Sequence, residues 1–329
     1  MMGFRLTLGK KKIINVTIKD HVVRFVELKQ THPPVISRFG ERYLPKGIMH
    51  DGRIQDLETF ETILEEFVDD WKITKRDVRF IVPESLIMLR KITAPSDIQE
   101  DELEGYLFME IGSSIHLPFE NPIFDYHLLP KEKDEQELLL FAGPEEVIQE
   151  YADLLEEVKL EPISADISSL ALYRLYHQQR PEDRDNIMLV QIDLLSVNLC
   201  IFQDHKPVVA RHLLMDVDLD KWERSPESYK LGMYQGDREE VFIPFKDVFL
   251  EVDRVRNFYN YSLNYGNKLV NKIIVNGDHP WTAEICRRLA QQIDIPIEIM
   301  NCQSIVTNTG EPVDPAFYLN IGLGLKEVE

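Results

Sequence analysis

Residues 13–28 have the sequence IINVTIKDHVVRFVEL, and this segment gives the clearest indication of the fold. It contains two runs rich in β-branched residues, 14–18 and 22–26, separated by the polar residues 19–21. In the first run apolar and polar side chains alternate, which is the period of a strand with one buried face. Two such runs joined by a short polar segment predict a β-hairpin.

A similar pattern recurs in the second half of the chain. Residues 187–202 contain two further apolar runs around a turn at 193–196, and a third strand is predicted at 207–214. In the first half, the hairpin is likewise followed by a predicted strand at 35–43 and by an amphipathic helix at 56–71. This repetition predicts two α/β lobes, each with a mixed sheet flanked by helices, whose hairpin turns face a cleft.

The composition excludes several classes of protein. The chain of 329 residues contains 37 Lys and Arg against 57 Asp and Glu, so its formal charge is −20, which disfavours binding to nucleic acid. Its three widely spaced cysteines, Cys200, Cys286 and Cys302, argue against a disulfide framework or a zinc site and favour a reducing compartment. No run of about 18 apolar residues is present, so no transmembrane helix is expected.

The first twelve residues are basic, with Arg5 and the run Lys10-Lys11-Lys12. They lack the apolar core and the cleavage site of a secretory signal, so no such signal is expected here. Two interpretations of the three lysines remain open. They either make a weak contact with a membrane surface or are simply solvated charges beside a strand.

Residues 84–159 have a different order of elements. We expect a strand, a helix, two strands and a second helix, at residues 86–92, 97–111, 123–129, 137–143 and 144–158. Ser96 or Asp97 is expected to cap the first helix, because acidic residues follow it near the positive end of the helix dipole.

The two hairpin turns are the places where a two-lobed protein of this kind would bind phosphate. Backbone N–H groups must approach the phosphate oxygens, which favours glycine, serine and a metal-binding aspartate. The turns at 17–21 and 191–196 contain no glycine. Lys19 would meet a phosphate, and Asp20 or Asp193 would hold a magnesium ion. Alternatively, both are ordinary polar hairpin turns.

Other catalytic signatures are absent from the sequence. It contains no GxxxxGK[ST], HExxH or GxSxG motif, and its histidines do not cluster at ligand spacings. Asn276-Gly277-Asp278 follows a predicted buried strand as a tight turn. That turn would either approach a nucleotide base or lead into the helix predicted from Trp281.

Several segments together resemble the type IV pilus assembly protein PilM family. Residues 82–90, VPESLIMLR, are similar to the family's VPxSxxxxR, and an acidic helix follows from Asp97. Residues 115–119, IHLPF, and 124–126, FDY, are similar to the family's IPFPxxxxxxDY. Weaker similarities, in the same order along the chain, lie at residues 22–28, 245–266, 314–317 and 322–325.

The resemblance implies an α/β fold of the actin-like, ribonuclease H-like type, which the cell-division protein FtsA shares. Two lobes with mixed sheets flanked by helices would carry a small inserted α+β subdomain. On this basis we expect the first lobe at residues 1–83 and 160–185 and the inserted subdomain at 84–159. The second lobe is expected at 186–329, with 216–268 as its smaller subdomain.

The resemblance also implies a function. PilM-like proteins act in the cytoplasm at the inner face of the cell membrane, in pilus assembly or a related competence or secretion system. They bind ATP in the cleft and hold the cytoplasmic N-terminal segment of the membrane protein PilN in a groove beside the inserted subdomain. Membrane contact would therefore be indirect, through PilN and other pilus assembly proteins.

For the partner groove, we expect the strand at 87–92, with Leu89 and Arg90, and the nearby Tyr106, Phe108 and Phe119. Arg90 is the leading choice, because an arginine in an apolar strand usually has a charged partner. The alternative is that each of these residues belongs to the core.

The sequence departs from the family at the phosphate turns. In the first turn, similar to the family's DIGSSS, Thr17 replaces the aspartate and Lys19 the glycine. In the second, similar to DIGASST, Gln191 and Asp193 stand at these places. The family's glycine-rich adenosine turn is reduced to Gly277-Asp278. The degenerate cofactor positions are therefore Thr17, Lys19, Asp20, Gln191, Asp193, Ser196, Gly277 and Asp278.

A β-carbon at each former glycine position crowds the path that a phosphate needs. We therefore expect no cofactor and no ATP hydrolysis, and a scaffold rather than an enzyme. The rival interpretation is an actin-like ATPase that uses ATP and Mg to switch or polymerise. A sugar-kinase-like enzyme would also need an intact phosphate site and a catalytic aspartate.

Overall fold

The computed structural model describes residues 12–130, 136–224 and 231–327. The elements of its first half are β1 (Ile14–Lys19), β2 (Val22–Thr31), β3 (Pro34–Tyr43), β4 (Met49–His50), β5 (Arg53–Ile54), α1 (Leu57–Asp70), β6 (Asp77–Ile81), β7 (Met88–Ala94), α2 (Leu103–Glu110), β8 (Pro122–Leu128), β9 (Gln136–Pro144), α3 (Glu145–Glu157), β10 (Glu161–Asp166) and α4 (Ser168–Gln179). Those of the second half are β11 (Ile187–Ile192), β12 (Ser196–Gln203), β13 (Lys206–Leu214), β14 (Trp222–Arg224), β15 (Leu231–Tyr234), α5 (Phe245–Asn257), β16 (Lys272–Asn276), α6 (Thr282–Leu289), β17 (Ile297–Ile299), β18 (Val306–Thr307) and α7 (Tyr318–Gly324).

Two mixed sheets share one arrangement of strands. The order is β10-β6-β1-β2-β3-β18 in the first sheet and β13-β12-β11-β16-β17 in the second. In each, three antiparallel strands in sequence order are extended on one side by two parallel strands. The predicted duplication is therefore confirmed, and each predicted hairpin contributes the central strands of its sheet.

Helices α4 and α7 pack between the two sheets and join them into one core. Helix α7 contacts β1, β2 and β6 of the first sheet, α4 contacts β11 and β12 of the second, and apolar side chains of both helices belong to the same core. The helices approach closely at Gly322 of α7, where a β-carbon would overlap the backbone of Ala171 in α4. Because the sheets share these helices, their relative placement is fixed by buried apolar contacts.

Helix α1 covers the other face of the first sheet. It begins after Asp56, whose side chain accepts a hydrogen bond from the Thr59 backbone N–H at 3.1 Å, as a helix N-cap does. Its buried face consists of Phe60, Leu64, Phe67 and Val68. The apolar spacing that predicted this helix is thus the face it presents to the sheet.

The inserted subdomain consists of the antiparallel sheet β7-β9-β8 with α2 on one face. Neither Ser96 nor Asp97 caps its helix, contrary to expectation. The cap is Gln99, which forms a capping box with Glu102 ahead of a short 3₁₀ turn and α2. The reciprocal Gln99–Glu102 pair satisfies backbone donors that a single Ser or Asp would have satisfied.

Two segments pack away from the lobe that the sequence suggested. Helix α3, within the range 84–159, buries Val147 and Tyr151 in the core of the first lobe. Strand β18 pairs with β3, and α7 packs on β1, β2 and α4, although both lie within 186–329. The reason in each case is that the apolar face of the segment fits the first sheet.

Two further elements lie in the second half of the chain. Strands β14 and β15 form an antiparallel pair, in which Trp222 pairs with Tyr234. Helix α5 is α-helical to Asn257 and continues as a π-helical turn, Phe258–Leu263.

The three cysteines are all buried and free, as a chain without a disulfide framework requires. Within residues 12–130, 136–224 and 231–327, none of the helices has the length and apolarity needed to cross a bilayer.

Candidate functional site

The two hairpin turns meet at one cleft between the lobes. Thr17, Lys19 and Asp20 line it from the end of β1, and Gln191, Asp193 and Ser196 line it from the turn between β11 and β12. Gly277 and Asp278 follow β16, the strand beside β11, and reach the same place. The eight cofactor positions named from sequence are therefore neighbours.

Lys19 joins the lobes across this cleft. Its Nζ lies 2.8 Å from Asp193 Oδ1 and 3.0 Å from Asp278 Oδ2. Both carboxylates are almost fully buried, and the lysine side chain is largely so. The charge that would have met a phosphate is thus neutralised by two acidic side chains of the opposite lobe.

Asp278 also contacts two further basic side chains of the first lobe. His21 Nε2 lies 3.2 Å and Arg24 Nη1 2.5 Å from its Oδ2 atom, and the Leu194 N–H donates to its Oδ1 atom at 3.1 Å. Burial would raise the pKa of this carboxyl, but Lys19, His21 and Arg24 outweigh burial and hold the pKa well below its usual range. Together these side chains form the cross-lobe ion cluster, consisting of Lys19, His21, Arg24, Asp193 and Asp278.

Arg24 is the most buried member of the cross-lobe ion cluster, with 1% of its surface exposed. It also donates to Glu41 Oε2 at 2.8 Å and to the Tyr43 hydroxyl at 3.3 Å. Burial alone would lower the pKa of the Arg24 guanidinium. The nearby Asp278, Tyr43 and Glu41 raise this pKa by more than burial lowers it, so the guanidinium stays charged. A buried arginine with this set of partners anchors β2 to the opposite lobe.

The carboxylates expected to hold magnesium are both engaged by the protein. Asp20 accepts backbone N–H groups of Asp51 at 2.5 Å and Gly52 at 2.9 Å. Asp193 accepts the Gln191 side-chain amide at 2.6 Å on Oδ2, while its Oδ1 faces Lys19. Among the described residues, no group of three or more His, Cys, Asp or Glu side chains is arranged to hold a metal ion.

The Gly277 turn packs against the second hairpin turn itself. Gly277 has a φ of +140°, which glycine adopts readily and other residues rarely do. A β-carbon at this position would also overlap the Ile192 carbonyl oxygen. The His279 N–H donates to the same oxygen at 3.2 Å. The close backbone approach that glycine permits is therefore made to protein rather than to a ligand.

Little space remains in the cleft. Leu194, at a position next to a former glycine, is buried with Leu219 and Trp222 of the small subdomain. The cavity between the turns has a volume of about 70 Å³. Ligand pockets usually measure about 300–1,000 Å³. The space between the turns is therefore smaller than a usual ligand pocket.

Thr17 lines the cleft, and its hydroxyl contacts the C-terminal helix α7. Its hydroxyl lies 3.3 Å from Asn320 Oδ1, and Asn320 Nδ2 donates at 3.0 Å to the carbonyl oxygens of Asn15 and Arg24. The sequence reasoning missed His21, Arg24 and Asn320. Arg24 carried a usable signal, because a charged residue in the middle of an apolar strand needs a buried partner.

The residues expected to bind a partner do not form one surface. Leu89 faces away from α2, beside Phe141 of β9, whereas Arg90 lies on the opposite face of β7, beside Leu140. Tyr106 is half-buried against the α2 core, and Phe119 lies half-buried in the connection from α2 to β8. Within the described ranges Arg90 has no carboxylate at ion-pair distance, and it donates to the His116 carbonyl oxygen at 3.2 Å.

A large groove lies instead on the other face of the subdomain sheet. It runs between β8 and β9 on one side and α3, β10, the start of α4 and the β12–β13 turn on the other, with a volume of about 710 Å³. We call it the subdomain groove. Its lining is mostly apolar and includes Ile87, Ile123, Phe141, Ile148, Leu170 and Pro207, together with Lys206 and Lys326.

Comparisons with known proteins agree with this architecture. A family model described as type IV pilus assembly protein PilM matches residues 15–316. A structure described as the PilM-PilN type IV pilus biogenesis complex is 18% identical, with a TM-score of 0.77, covering 96% of this chain and 99% of that chain. No curated protein matches the sequence.

Two more distant structures are also similar in fold. The cytoplasmic domain of EpsL, an inner membrane component of the type II secretion system of Vibrio cholerae, is 12% identical with a TM-score of 0.50, covering 97% of this chain and 96% of that chain. The ethanolamine utilization protein EutJ from Carboxydothermus hydrogenoformans is 11% identical with a TM-score of 0.50, covering 95% and 88%. The actin-like, two-lobed fold implied by the resemblance is thereby confirmed.

Proposed function

Because this chain belongs to the PilM family of type IV pilus assembly proteins, we propose that it is a non-catalytic scaffold for a PilN-like membrane protein. The cytoplasmic N-terminal segment of that protein would occupy the subdomain groove. The chain would then act in the cytoplasm, held at the inner face of the membrane through this partner. The similar solved structure is described as a PilM-PilN complex, which supports the choice of partner.

The subdomain groove is the observation that carries this proposal. Its volume of about 710 Å³ and its apolar lining suit a short segment that buries a few apolar side chains. Strand β8 lies at the edge of its sheet, with β9 as its neighbour. An extended segment can hydrogen-bond to the open side of such a strand while alternate side chains enter the groove.

Ile123→Asp should weaken binding of this segment at least about tenfold, equivalent to about 1.4 kcal/mol. Ile123 is a half-exposed side chain of β8 in the groove, so the change removes apolar contact and adds a charge without opening a core cavity. Fluorescence anisotropy of a labelled peptide with the N-terminal sequence of the PilN-like protein from the same genome measures the dissociation constant.

Phe108→Asp is the matched control, because Phe108 is also apolar and exposed but lies on α2, on the opposite face of the subdomain sheet. It should bind the peptide as the wild type does. Equal binding by Ile123→Asp and the wild type would remove the subdomain groove as the site. Failure of the wild type to bind would remove the scaffold proposal itself.

The absence of catalysis is proposed from the cross-lobe ion cluster. Lys19 and Asp193, at the positions of the family's turn glycines, bond to each other and to Asp278 across the space that phosphates would enter. An active ATPase would require these buried ion pairs to separate and the lobes to move apart. That step would expose charges that currently neutralise one another.

Mg-ATP is therefore expected to leave the thermal unfolding midpoint unchanged and to give no binding heat in calorimetric titration. Nucleotide at 100 times its dissociation constant would stabilise the folded state by about 2.7 kcal/mol, which such a measurement detects readily. The PilN-like peptide in the same assay is the positive control and should raise the midpoint. Micromolar affinity for Mg-ATP would contradict the pseudo-ATPase assignment.

A further inference from the structure

An exposed apolar surface lies on the second lobe, immediately after α5. It consists of the π-helical turn Phe258–Leu263 and the loop that follows, in which Tyr265 is 84% exposed. Exposed apolar side chains that lie together usually mark a surface that contacts a protein or a membrane. The large exposed side chains here are Phe258, Tyr261, Leu263, Tyr265 and Leu269, and we call them the aromatic patch.

The charges beside the aromatic patch differ from those of the whole molecule. Residues 254–272 contain four Lys or Arg and no Asp or Glu, in a chain whose net charge is −20. Arg211 and Arg254, both well exposed, share the single and much less exposed carboxylate of Glu251, at 3.2 and 2.8 Å. The other three bases of the segment pair with acids that lie outside it. The aromatic patch is therefore a neutral to slightly positive region on a strongly negative molecule.

The aromatic patch lies on the side of the molecule that is turned away from the cleft. Strands β11 and β16 are parallel and both end at the cleft, where the turns that follow them meet. The loop of the aromatic patch lies at the opposite end of these strands. It is bonded there to Asn186, whose side chain donates to the Leu269 carbonyl oxygen at 3.2 Å and whose own carbonyl oxygen accepts from the Asn271 N–H at 2.8 Å.

The subdomain groove reaches the same side of the molecule. The β12–β13 turn contributes His205, Lys206 and Pro207 to the groove lining, and Lys268 of the aromatic-patch loop lies 3.3 Å from Asp204 in that turn. The groove and the aromatic patch are therefore neighbours. A membrane protein whose cytoplasmic segment occupies the groove would hold the aromatic patch close to the bilayer, and in this step alone the inference rests on the proposed function.

A basic segment joins the first lobe on this side as well. Strand β1, like β11, begins away from the cleft, and the run Lys10-Lys11-Lys12 precedes it. Lys12 is largely exposed beside Glu27, at 3.3 Å, while Lys10 and Lys11 lie outside the described residues. A bilayer on this side would therefore meet basic side chains of both lobes.

We propose that the aromatic patch contacts the surface of an anionic lipid bilayer directly. Tyrosine rings are at home in the headgroup layer, where the ring is covered and the hydroxyl stays hydrated, so Tyr261 and Tyr265 would enter it. Lys268 and its neighbouring bases would face the lipid phosphates. Acids elsewhere on the molecule are screened beyond about 8–10 Å at ordinary ionic strength.

An acidic protein surface would match the same charges, but nothing in the structure brings one to this side of the molecule. A partner anchored in the membrane, in contrast, keeps lipid within reach. The bilayer contact is weak by itself and adds to the hold of the partner, because a second attachment to the same membrane acts at a high effective concentration.

Flotation of the full chain with lipid vesicles, in the absence of any partner, tests the proposal. The wild type should bind vesicles made of equal parts of phosphatidylglycerol and phosphatidylcholine, and bind vesicles of phosphatidylcholine alone much less. Added salt should weaken the binding by screening the bases. Tyr265→Asp should lower the partition coefficient at least about tenfold, because it removes an interfacial ring and adds a charge that anionic lipid repels.

Lys268→Ala should lower the partition coefficient about fivefold, the usual contribution of one basic residue near an anionic surface. Tyr261→Asp replaces Tyr265→Asp should the latter fail to fold by circular dichroism. Phe108→Asp is the matched control, because it also replaces an exposed aromatic side chain by an acid, but on α2 of the inserted subdomain. It should bind vesicles as the wild type does.

No binding of the wild type to the anionic vesicles would overturn the proposal and assign the aromatic patch to a protein partner. Equal vesicle binding by Tyr265→Asp and the wild type would overturn it too. Tyr265→Asp should still bind the labelled PilN-like peptide as the wild type does, which separates this contact from the subdomain groove. A wild type that binds vesicles but not the peptide would remove the scaffold proposal and leave the bilayer contact in place.

Discussion

The Asp278→Ala variant should unfold with a free energy about 3–5 kcal/mol below that of the wild type, the usual cost of removing one partner from a buried ion pair. Asp278 accepts hydrogen bonds from Arg24 and Lys19, and the Arg24 side chain is nearly inaccessible to water. Without the carboxylate, the guanidinium is left buried with Glu41 as its remaining acidic partner. Equilibrium urea unfolding, followed by circular dichroism, measures the difference.

Asp220→Ala is the control for Asp278→Ala, because Asp220 also pairs across the lobes, with Lys46 at 2.9 Å, but both side chains are exposed. Exposed pairs contribute about 0–1 kcal/mol, so this variant should differ little from the wild type. Replacing both charges, in Arg24→Met with Asp278→Leu, should recover much of the loss. A loss below about 1 kcal/mol in Asp278→Ala would show that the cross-lobe ion cluster does not hold the lobes together.

The same cluster gives the contribution of Asp278 a defined dependence on pH. The folded state holds the pKa of this carboxyl well below its ordinary value of about 3.9, so its contribution to stability is fully present above that pH. As the pH falls below about 3.9 towards the folded pKa, the contribution is lost. The difference between Asp278→Ala and the wild type should therefore be constant near neutrality and shrink in strong acid.

Gly277→Ala is expected to destabilise the protein by about 4 kcal/mol or more, a loss that only severe packing or backbone conflicts produce. The residue has a φ of +140°, and its new methyl group would overlap the Ile192 carbonyl oxygen. Backbone atoms of a central strand cannot move aside as a side-chain end can, so the two turns would be forced apart. Thermal and urea unfolding of the purified variant, or its failure to accumulate as folded protein, measures the effect.

Gly310→Ala separates the cost of the positive φ from the cost of the overlap with Ile192. Gly310 also has a positive φ, +86°, but a β-carbon there meets no other atom within contact distance. Its free energy of unfolding should fall by only about 1–2 kcal/mol, the cost of a left-handed backbone for a residue with a β-carbon. If Gly277→Ala and Gly310→Ala lost equal stability, overlap with Ile192 would have no part in the effect.

The central strands could be predicted because their residue types admit few alternatives. The buried strand predicted ahead of the Gly277 turn is β16, Lys272–Asn276. The alternation in β1 predicted the strand correctly, but its polar residues are not solvated. Asn15 and Thr17 are buried and bond to Val26 and Asn320. A period of two identifies a strand without telling what covers its second face.

The ion pairs of the cross-lobe ion cluster could not have been predicted from sequence. The resemblance placed Lys19 and Asp278 at one site although they are 259 positions apart, but nothing in either local pattern indicates that the two side chains bond to each other. The partner residues are a different case. Leu89 and Arg90 are adjacent in a strand and must point to opposite faces, so they could not both have lined one groove. The groove lining came from segments distant in sequence, which periodicity alone does not bring together.

The return of the C-terminal segment to the first sheet affects the order in which the protein can fold during synthesis. Asn320 supplies the hydrogen bonds that the buried carbonyl groups of Asn15 and Arg24 accept. Until the ribosome has released residue 320, two of the earliest strands lack these donors, and β3 lacks its neighbour β18. The first lobe is therefore translated early but completed last, and the nascent chain reaches its final packing only when translation is nearly over.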